Sequence, residues 1–189
     1  SLWVNVYGVS ERYLNVYGEK DLRAQMNQFF HRTYTHPVDG TTLDMKMLCN
    51  WYWYDETAIL ETGKGTKDWN FYRYAETLLS AAEAIAQSSG VNAEAAGYLA
   101  QVKARANMEG KDVSTIASEL QRLGKQAFIE ECWKERLREF PLEMKIWDDC
   151  VRTGKFPQIS ATNKGEVQFV DLIGAKNGSG ATFKATDLY

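Results

Sequence analysis

The feature that most constrains the fold is a helical repeat of apolar residues between residues 71 and 154. Apolar side chains recur there at intervals of three and four, which places them on one face of an α-helix. A first helix, predicted over 71–87, presents Phe71, Ala75, Leu78, Ala82 and Ile85 on this face. A second, predicted over 92–106, presents Ala96, Leu99, Val102 and Ala106.

A short connection joins these two predicted helices. Gly90 can adopt the left-handed conformation that follows many helices, and the side chain of Asn92 can cap the next one. Helices joined by so few residues run antiparallel. The sequence therefore predicts a helix hairpin. The side chains expected between or beneath its helices are Leu78, Leu79, Ala82, Leu99 and Val102.

The helical pattern continues towards the C-terminus. A third helix is predicted to begin near Asp112, with an apolar stripe of Ile116, Leu120, Leu123 and Ala127. The pattern continues, with a phase shift, as far as Phe140. Pro141 interrupts it, because proline lacks the backbone N–H and clashes with the preceding turn. A short fourth helix follows and ends at Gly154. Residues 71–154 thus predict stacked helix hairpins similar to a tetratricopeptide array, although the strict repeat signature is missing.

Aromatic residues are abundant, with 6 Trp, 10 Tyr and 8 Phe among 189 residues. Four of them are consecutive, namely Trp51, Tyr52, Trp53 and Tyr54. Because aromatic residues favour strands, alternation predicts the two tryptophans on one face and the two tyrosines on the other. We expect the tyrosines to face a ligand such as a sugar ring, with Asn50 and Asp55 bonding to its hydroxyls. The alternative is that the whole run belongs to the core.

Charged residues of both signs recur at helical spacing in the third and fourth predicted helices. Such patterns are typical of ion pairs. We expect one structural network, comprising Glu135, Arg136, Glu139, Asp149 and Arg152. A glycosidase would instead need two carboxylates across a cleft, with one kept protonated. The many neighbouring cations favour the ion pairs.

Several functional classes find no support in the sequence. The net charge of -3 provides no basic surface for nucleic acid. Cys49, Cys132 and Cys150 fit no metal-binding spacing and are interpreted as buried apolar residues. His31 and His36 belong to no catalytic motif, so we predict neither a metal nor a cofactor. No signal peptide is visible, and no apolar run approaches the ~20 residues that span a bilayer.

Three segments resemble, in order, conserved blocks of the SusD/RagB family. Residues 71–84, FYRYAETLLSAAEA, resemble the family's RYAEvLLmyAEA helix, and residues 98–106, YLAQVKARA, are similar to its LNqVRaRA helix. Residues 135–156 keep the order and spacing of the block ERrrELafEg-rwfDLrRwGkf. Departures from the pattern are Lys103 for arginine, Met144 for glycine and Ile146 for arginine.

The resemblance implies a mainly α-helical, SusD-like fold with tetratricopeptide-like helix hairpins and irregular, loop-rich flanks. It divides the chain into a loop-rich segment over 1–70 that packs on the helical domain, a SusD-like helical core over 71–156 and an irregular segment over 157–189. The third segment ends before the family's closing run. We expect this segment to be truncated. Because the family's N-terminal half is missing, we expect the chain to be the helical C-terminal part of a longer protein.

The same resemblance implies a function. Members of this family are non-catalytic, nutrient-binding lipoproteins on the outer membrane of Bacteroides-type bacteria. The implied ligand is an oligosaccharide or polysaccharide, and the implied partner is a SusC-like TonB-dependent transporter. The lipid anchor would lie at an N-terminus outside this chain. Alternatives are a RagB-like peptide-binding lipoprotein, a tetratricopeptide-like protein-interaction adaptor and a glycoside hydrolase fragment.

Overall fold

A computed structural model describes residues 8–68 and 70–188, so parts of the first and last predicted segments (residues 1–7, 69 and 189) lie outside it. Over the described residues the fold is mainly helical, as the sequence predicts. Its α-helices are α1 (Tyr74–Ser89), α2 (Ala93–Ala104), α3 (Val113–Leu120), α4 (Lys125–Glu139) and α5 (Ile146–Thr153). Short 3₁₀-helices span Glu11–Val16, Leu22–Ala24, Trp51–Trp53 and Ala185–Leu188, and a π-helical turn spans Ala58–Thr62. Among the described residues, no helix is long and apolar enough to cross a bilayer.

Helices α1 and α2 form the predicted hairpin. Gly90 ends α1 with a positive φ of 81°, and the side chain of Asn92 accepts a hydrogen bond from the Ala95 N–H at 2.9 Å. Leu79 and Leu99 are completely buried. Together with apolar residues of α3 and α4, including Phe128, they form the larger hydrophobic core.

The prediction of one continuous third helix is wrong, because the chain turns between α3 and α4. Gly124 precedes α4 in an extended conformation, with φ -64° and ψ 155°. Leu123 and Ala127 belong to the predicted stripe but are exposed, whereas Phe128 is buried. The phase shift in the sequence therefore marks a boundary between two helices.

Two antiparallel hairpins flank the helices, mostly in the segments predicted to be loop-rich or irregular. Strand β1 (Phe30–Thr35) pairs with β2 (Thr42–Asn50), and β3 (Lys155–Ile159) pairs with β4 (Val167–Asp171). A second core connects both hairpins to α4. Its buried residues are Val16, Tyr17, Phe30, Leu48, Leu137 and Val167. The Tyr17 hydroxyl donates to the Arg138 carbonyl at 2.9 Å, which fixes this packing.

Replacing Asn92 with alanine should reduce the free energy of unfolding by about 1 kcal/mol, because the Ala95 N–H loses its capping acceptor. Urea denaturation monitored by circular dichroism measures this change. Asn92→Asp keeps a capping oxygen and should remain close to wild type. Equal stability of the alanine variant and the wild type would show that this cap contributes nothing.

Candidate functional site

A cleft of about 430 Å³ lies where the N-terminal segment meets the helical core. Ligand pockets typically have volumes of about 300–1,000 Å³. Backbone hydrogen bonds from Leu22 N to Ala106 O (2.8 Å) and from Met108 N to Lys20 O (3.0 Å) connect the two sides. The aromatic lining residues are Phe29, Trp51 and Tyr52, and the charged ones are Arg23, Arg73, Arg105, Glu139 and Glu143.

The aromatic wall is a single 3₁₀ turn over Trp51–Trp53 and not the predicted strand. Side chains three residues apart lie on the same side of a 3₁₀-helix. Trp51 accordingly stacks on Tyr54, with ring centres 4.5 Å apart and an interplanar angle of 10°. Tyr52 contacts Trp53 edge to face at 4.9 Å. The predicted separation of tryptophans from tyrosines is therefore wrong, since each pair contains one of each.

The Trp51 indole is held mainly by other protein rings. His31 stacks on it with ring centres 3.7 Å apart and an interplanar angle of 10°. Partial burial lowers the pKa of His31, which favours the neutral imidazole in this stack. Tyr34 and Tyr54 pack beside the indole in a small apolar cluster. Trp51 therefore contributes to the wall of the cleft mainly by packing against other protein side chains.

Tyr52 is a ring of the cleft whose position is fixed by polar partners. Its hydroxyl accepts a hydrogen bond from Asn70 Nδ2 at 3.1 Å. Lys67 Nζ lies 5.3 Å from the ring centre, and the guanidinium carbon of Arg73 lies 5.8 Å from it. These contacts place a half-buried phenol ring in the wall of the cleft.

The two polar residues that flank the aromatic run bind backbone groups. Asn50 accepts a hydrogen bond from Tyr52 N at 2.9 Å and donates one to Pro141 O at 2.7 Å. Asp55 accepts from the N–H groups of Ala58, Thr66 and Lys67. Hydrogen bonds from Thr66 and Ala58 lower the pKa of Asp55. Of the six predicted ligand residues, Asn50, Trp51 and Tyr52 line the cleft, whereas Trp53, Tyr54 and Asp55 do not.

Three arginines converge on Glu139, the last residue of α4. Its Oε1 accepts from Arg73 Nη1 at 2.9 Å and from Arg105 Nη2 at 2.7 Å. Its Oε2 accepts from Arg23 Nη1 at 3.0 Å. Arg73 also forms two hydrogen bonds of 2.8 Å with Glu143. The floor of the cleft is therefore a network of charge-assisted hydrogen bonds.

A fully buried carboxylate, Glu135, lies behind this floor. Arg23 Nη1 is 2.8 Å from its Oε1, and Arg138 Nη1 is 3.2 Å from its Oε2. Burial alone would raise the pKa of Glu135, but Arg23, Lys103 and Arg138 lower it to about 2. A glycosidase acid needs the opposite, a carboxyl group that stays protonated near neutral pH.

The five residues predicted to form one ion-pair network belong to two networks in the described part of the chain. Glu135 and Glu139 lie at the cleft. Arg136 instead contacts Asp149 at 2.6 Å, and Asp149 also contacts Arg152 at 3.1 Å. This second network continues to Glu76, Glu83 and Lys145.

Sequence reasoning did not identify the three arginines of the cleft. Arg73 and Arg105 stand inside two of the motif blocks, RYAE and KARA, so the motifs carry a signal for them. Arg23 has no local signal for the cleft, because the contact that ties it to the other two arginines, with Glu139, joins residues 116 positions apart.

Comparison with known proteins supports one family. The model of the SusD family matches residues 12–182. The crystal structure of a SusD superfamily protein from Parabacteroides distasonis is similar, with a TM-score of 0.77 and 27% sequence identity. The match covers 95% of this chain but 37% of that protein, so the chain spans well under half of its length. No curated protein matches the sequence significantly. Because the family model covers most of the sequence, the chain belongs to the SusD family.

Proposed function

We propose that this chain is part of a non-catalytic protein that binds glycans at the cell surface and delivers them to a SusC-like TonB-dependent transporter. Membership of the SusD family supports a role in nutrient uptake. Attachment to the outer membrane through a lipid anchor outside this chain is part of the same proposal.

The observation that carries the proposal is the composition of the cleft. Sugar rings have apolar C–H faces and a polar rim of hydroxyl groups. The Tyr52 ring offers a flat surface for the C–H face of a sugar. Gln28 and the charged floor offer hydrogen-bonding partners for its hydroxyl groups. Ligand sites commonly combine an apolar lining with a few fixed polar groups.

The ion pairs formed by the carboxylates of the cleft support the proposal that the protein is not catalytic. Glu139 and Glu143 both accept charge-assisted hydrogen bonds from arginines, at 2.9 and 2.8 Å. Despite burial, neighbouring cations lower the pKa of Glu135 to about 2. A general acid for glycoside hydrolysis requires a raised pKa, so Glu135 is suited to structure and not to proton transfer.

Replacing Tyr52 with alanine should weaken oligosaccharide binding about tenfold, because the cleft loses its positioned ring. Calorimetric titration of the intact protein with maltoheptaose, xylohexaose, mannohexaose and trigalacturonate identifies a bound glycan and then measures the change. Tyr52→Phe keeps the aromatic ring, so its affinity for the oligosaccharide should fall much less.

Tyr72→Ala is the matched control, since Tyr72 is 71% exposed and does not line the cleft. It should bind like the wild type. Unchanged affinity of Tyr52→Ala would remove the cleft from the glycan site. Binding of peptides and of no oligosaccharide would favour the RagB-like alternative.

A further inference from the structure

Arg105 differs from the other arginines of the cleft in its exposure. It caps the C-terminal end of α2, where a cation is favoured by the helix dipole. Its side chain is 58% exposed, compared with 6% for Arg23 and 21% for Arg73. Arg105 is therefore the most accessible of these three guanidinium groups to a ligand in the cleft.

Arg105 also has unused hydrogen-bonding capacity. A guanidinium carries five N–H donors. Within the described ranges, the side chain of Arg105 donates only to Glu139, through Nη2. Its Nε and Nη1 groups remain available. Because Nη2 has two N–H bonds and Glu139 uses one of them, one edge of the guanidinium keeps two parallel donors that match a carboxylate.

The charges at the cleft leave Arg105 the least compensated of the three arginines. Arg23 forms two side-chain hydrogen bonds with Asp21, at 2.9 and 2.7 Å. Arg73 is held in the same way by Glu143. Arg105 has only a share of Glu139, which also binds both other arginines. The charged side chains that line the cleft are three arginines and two glutamates, so cations outnumber anions in the lining.

We propose that Arg105 binds the carboxylate of an acidic sugar, a uronic acid, whose ring lies in the cleft beside Tyr52. This inference rests on the proposed function and narrows its substrate class. The planar fork favours a carboxylate because two parallel N–H···O bonds can form. Tyr52 and Arg105 line the same cleft. The ligand that uses both is a sugar whose ring carries a carboxylate.

The test compares acidic oligosaccharides with their methyl esters, which keep the ring and linkage but remove the charge. Trigalacturonate and a hyaluronan hexasaccharide are titrated into the intact protein by calorimetry, each beside its methyl ester. The acid should bind about 10- to 100-fold more tightly than the ester. Arg105→Gln should abolish this difference while affinity for the ester stays the same. Arg105→Lys should restore part of it, since lysine provides charge without the fork.

Arg122→Gln serves as a matched control, because Arg122 is exposed and does not line the cleft. It should retain the full preference for the acid. Equal binding of acids and esters, or binding of neutral glycans only, would overturn the role of Arg105 and leave the proposed function standing. Failure of every oligosaccharide to bind would overturn both.

Discussion

Replacing Arg23 with alanine should lower the free energy of unfolding by about 3–5 kcal/mol, because buried carboxylates lose their cation. Arg23 is 5% exposed and pairs with Asp21, Glu135 and Glu139. Without it, the cations left to the fully buried Glu135 among the described residues are Arg138 and Lys103, the latter at 3.8 Å. Equilibrium unfolding in guanidinium chloride, monitored by tryptophan fluorescence, measures the loss.

The matched control is Arg32→Ala. Arg32 also forms an ion pair, with Glu11, but both side chains are substantially exposed, at 44% and 65%. Exposed pairs contribute at most about 1 kcal/mol, so this variant should unfold almost like the wild type. Similar small losses for both variants would show that the Arg23 network does not stabilise the fold.

Acidification from pH 5 to pH 2 should remove on the order of 3 kcal/mol of stability through Glu135 alone. Its pKa falls from an ordinary 4.5 to about 2 in the folded protein. Below pH 4.5 the unfolded chain therefore binds a proton that the folded chain does not. The stabilisation is complete above pH 4.5 and is lost as the pH falls towards 2.

Glu135→Gln isolates this contribution. The variant should be less stable than the wild type at pH 7, but its stability should decline less between pH 5 and pH 2. Glu56→Gln, at an exposed position, should keep the pH dependence of the wild type. Thermal unfolding monitored by circular dichroism at half-unit pH steps compares the three proteins. Parallel pH curves for the wild type and Glu135→Gln would contradict the assignment.

The helices were predictable because their signal is local. An apolar stripe, a capping asparagine and a terminal glycine all lie within the segment that they organise. The strands were not predicted, although each pairs with its neighbour in the chain. In β2 the burial pattern is irregular, with Met45 buried in the middle and Leu48, Cys49 and Asn50 buried consecutively at the end. The sequence alternates polar and apolar residues only over residues 42–47, and Met45 is the one buried residue of that stretch.

The aromatic run shows how tertiary contacts override propensity. Trp, Tyr and Phe favour strands, yet Asn50 caps Tyr52 N while its amide is held by the carbonyl of Pro141. That second contact joins residues 91 positions apart. No local pattern encodes it, so the sequence located the aromatic wall of the cleft but not the side on which each ring lies.

The convergence of three arginines on Glu139 has a consequence for the kinetics and entropy of association. The arginines come from the N-terminal segment, the start of α1 and the end of α2, and one carboxylate ties them together. The walls of the cleft cannot separate independently, so we expect its shape to change little when a ligand binds. Such preorganisation spares the ordering entropy that a flexible site loses. A ligand should therefore associate in a single kinetic step, without a slow rearrangement of the protein.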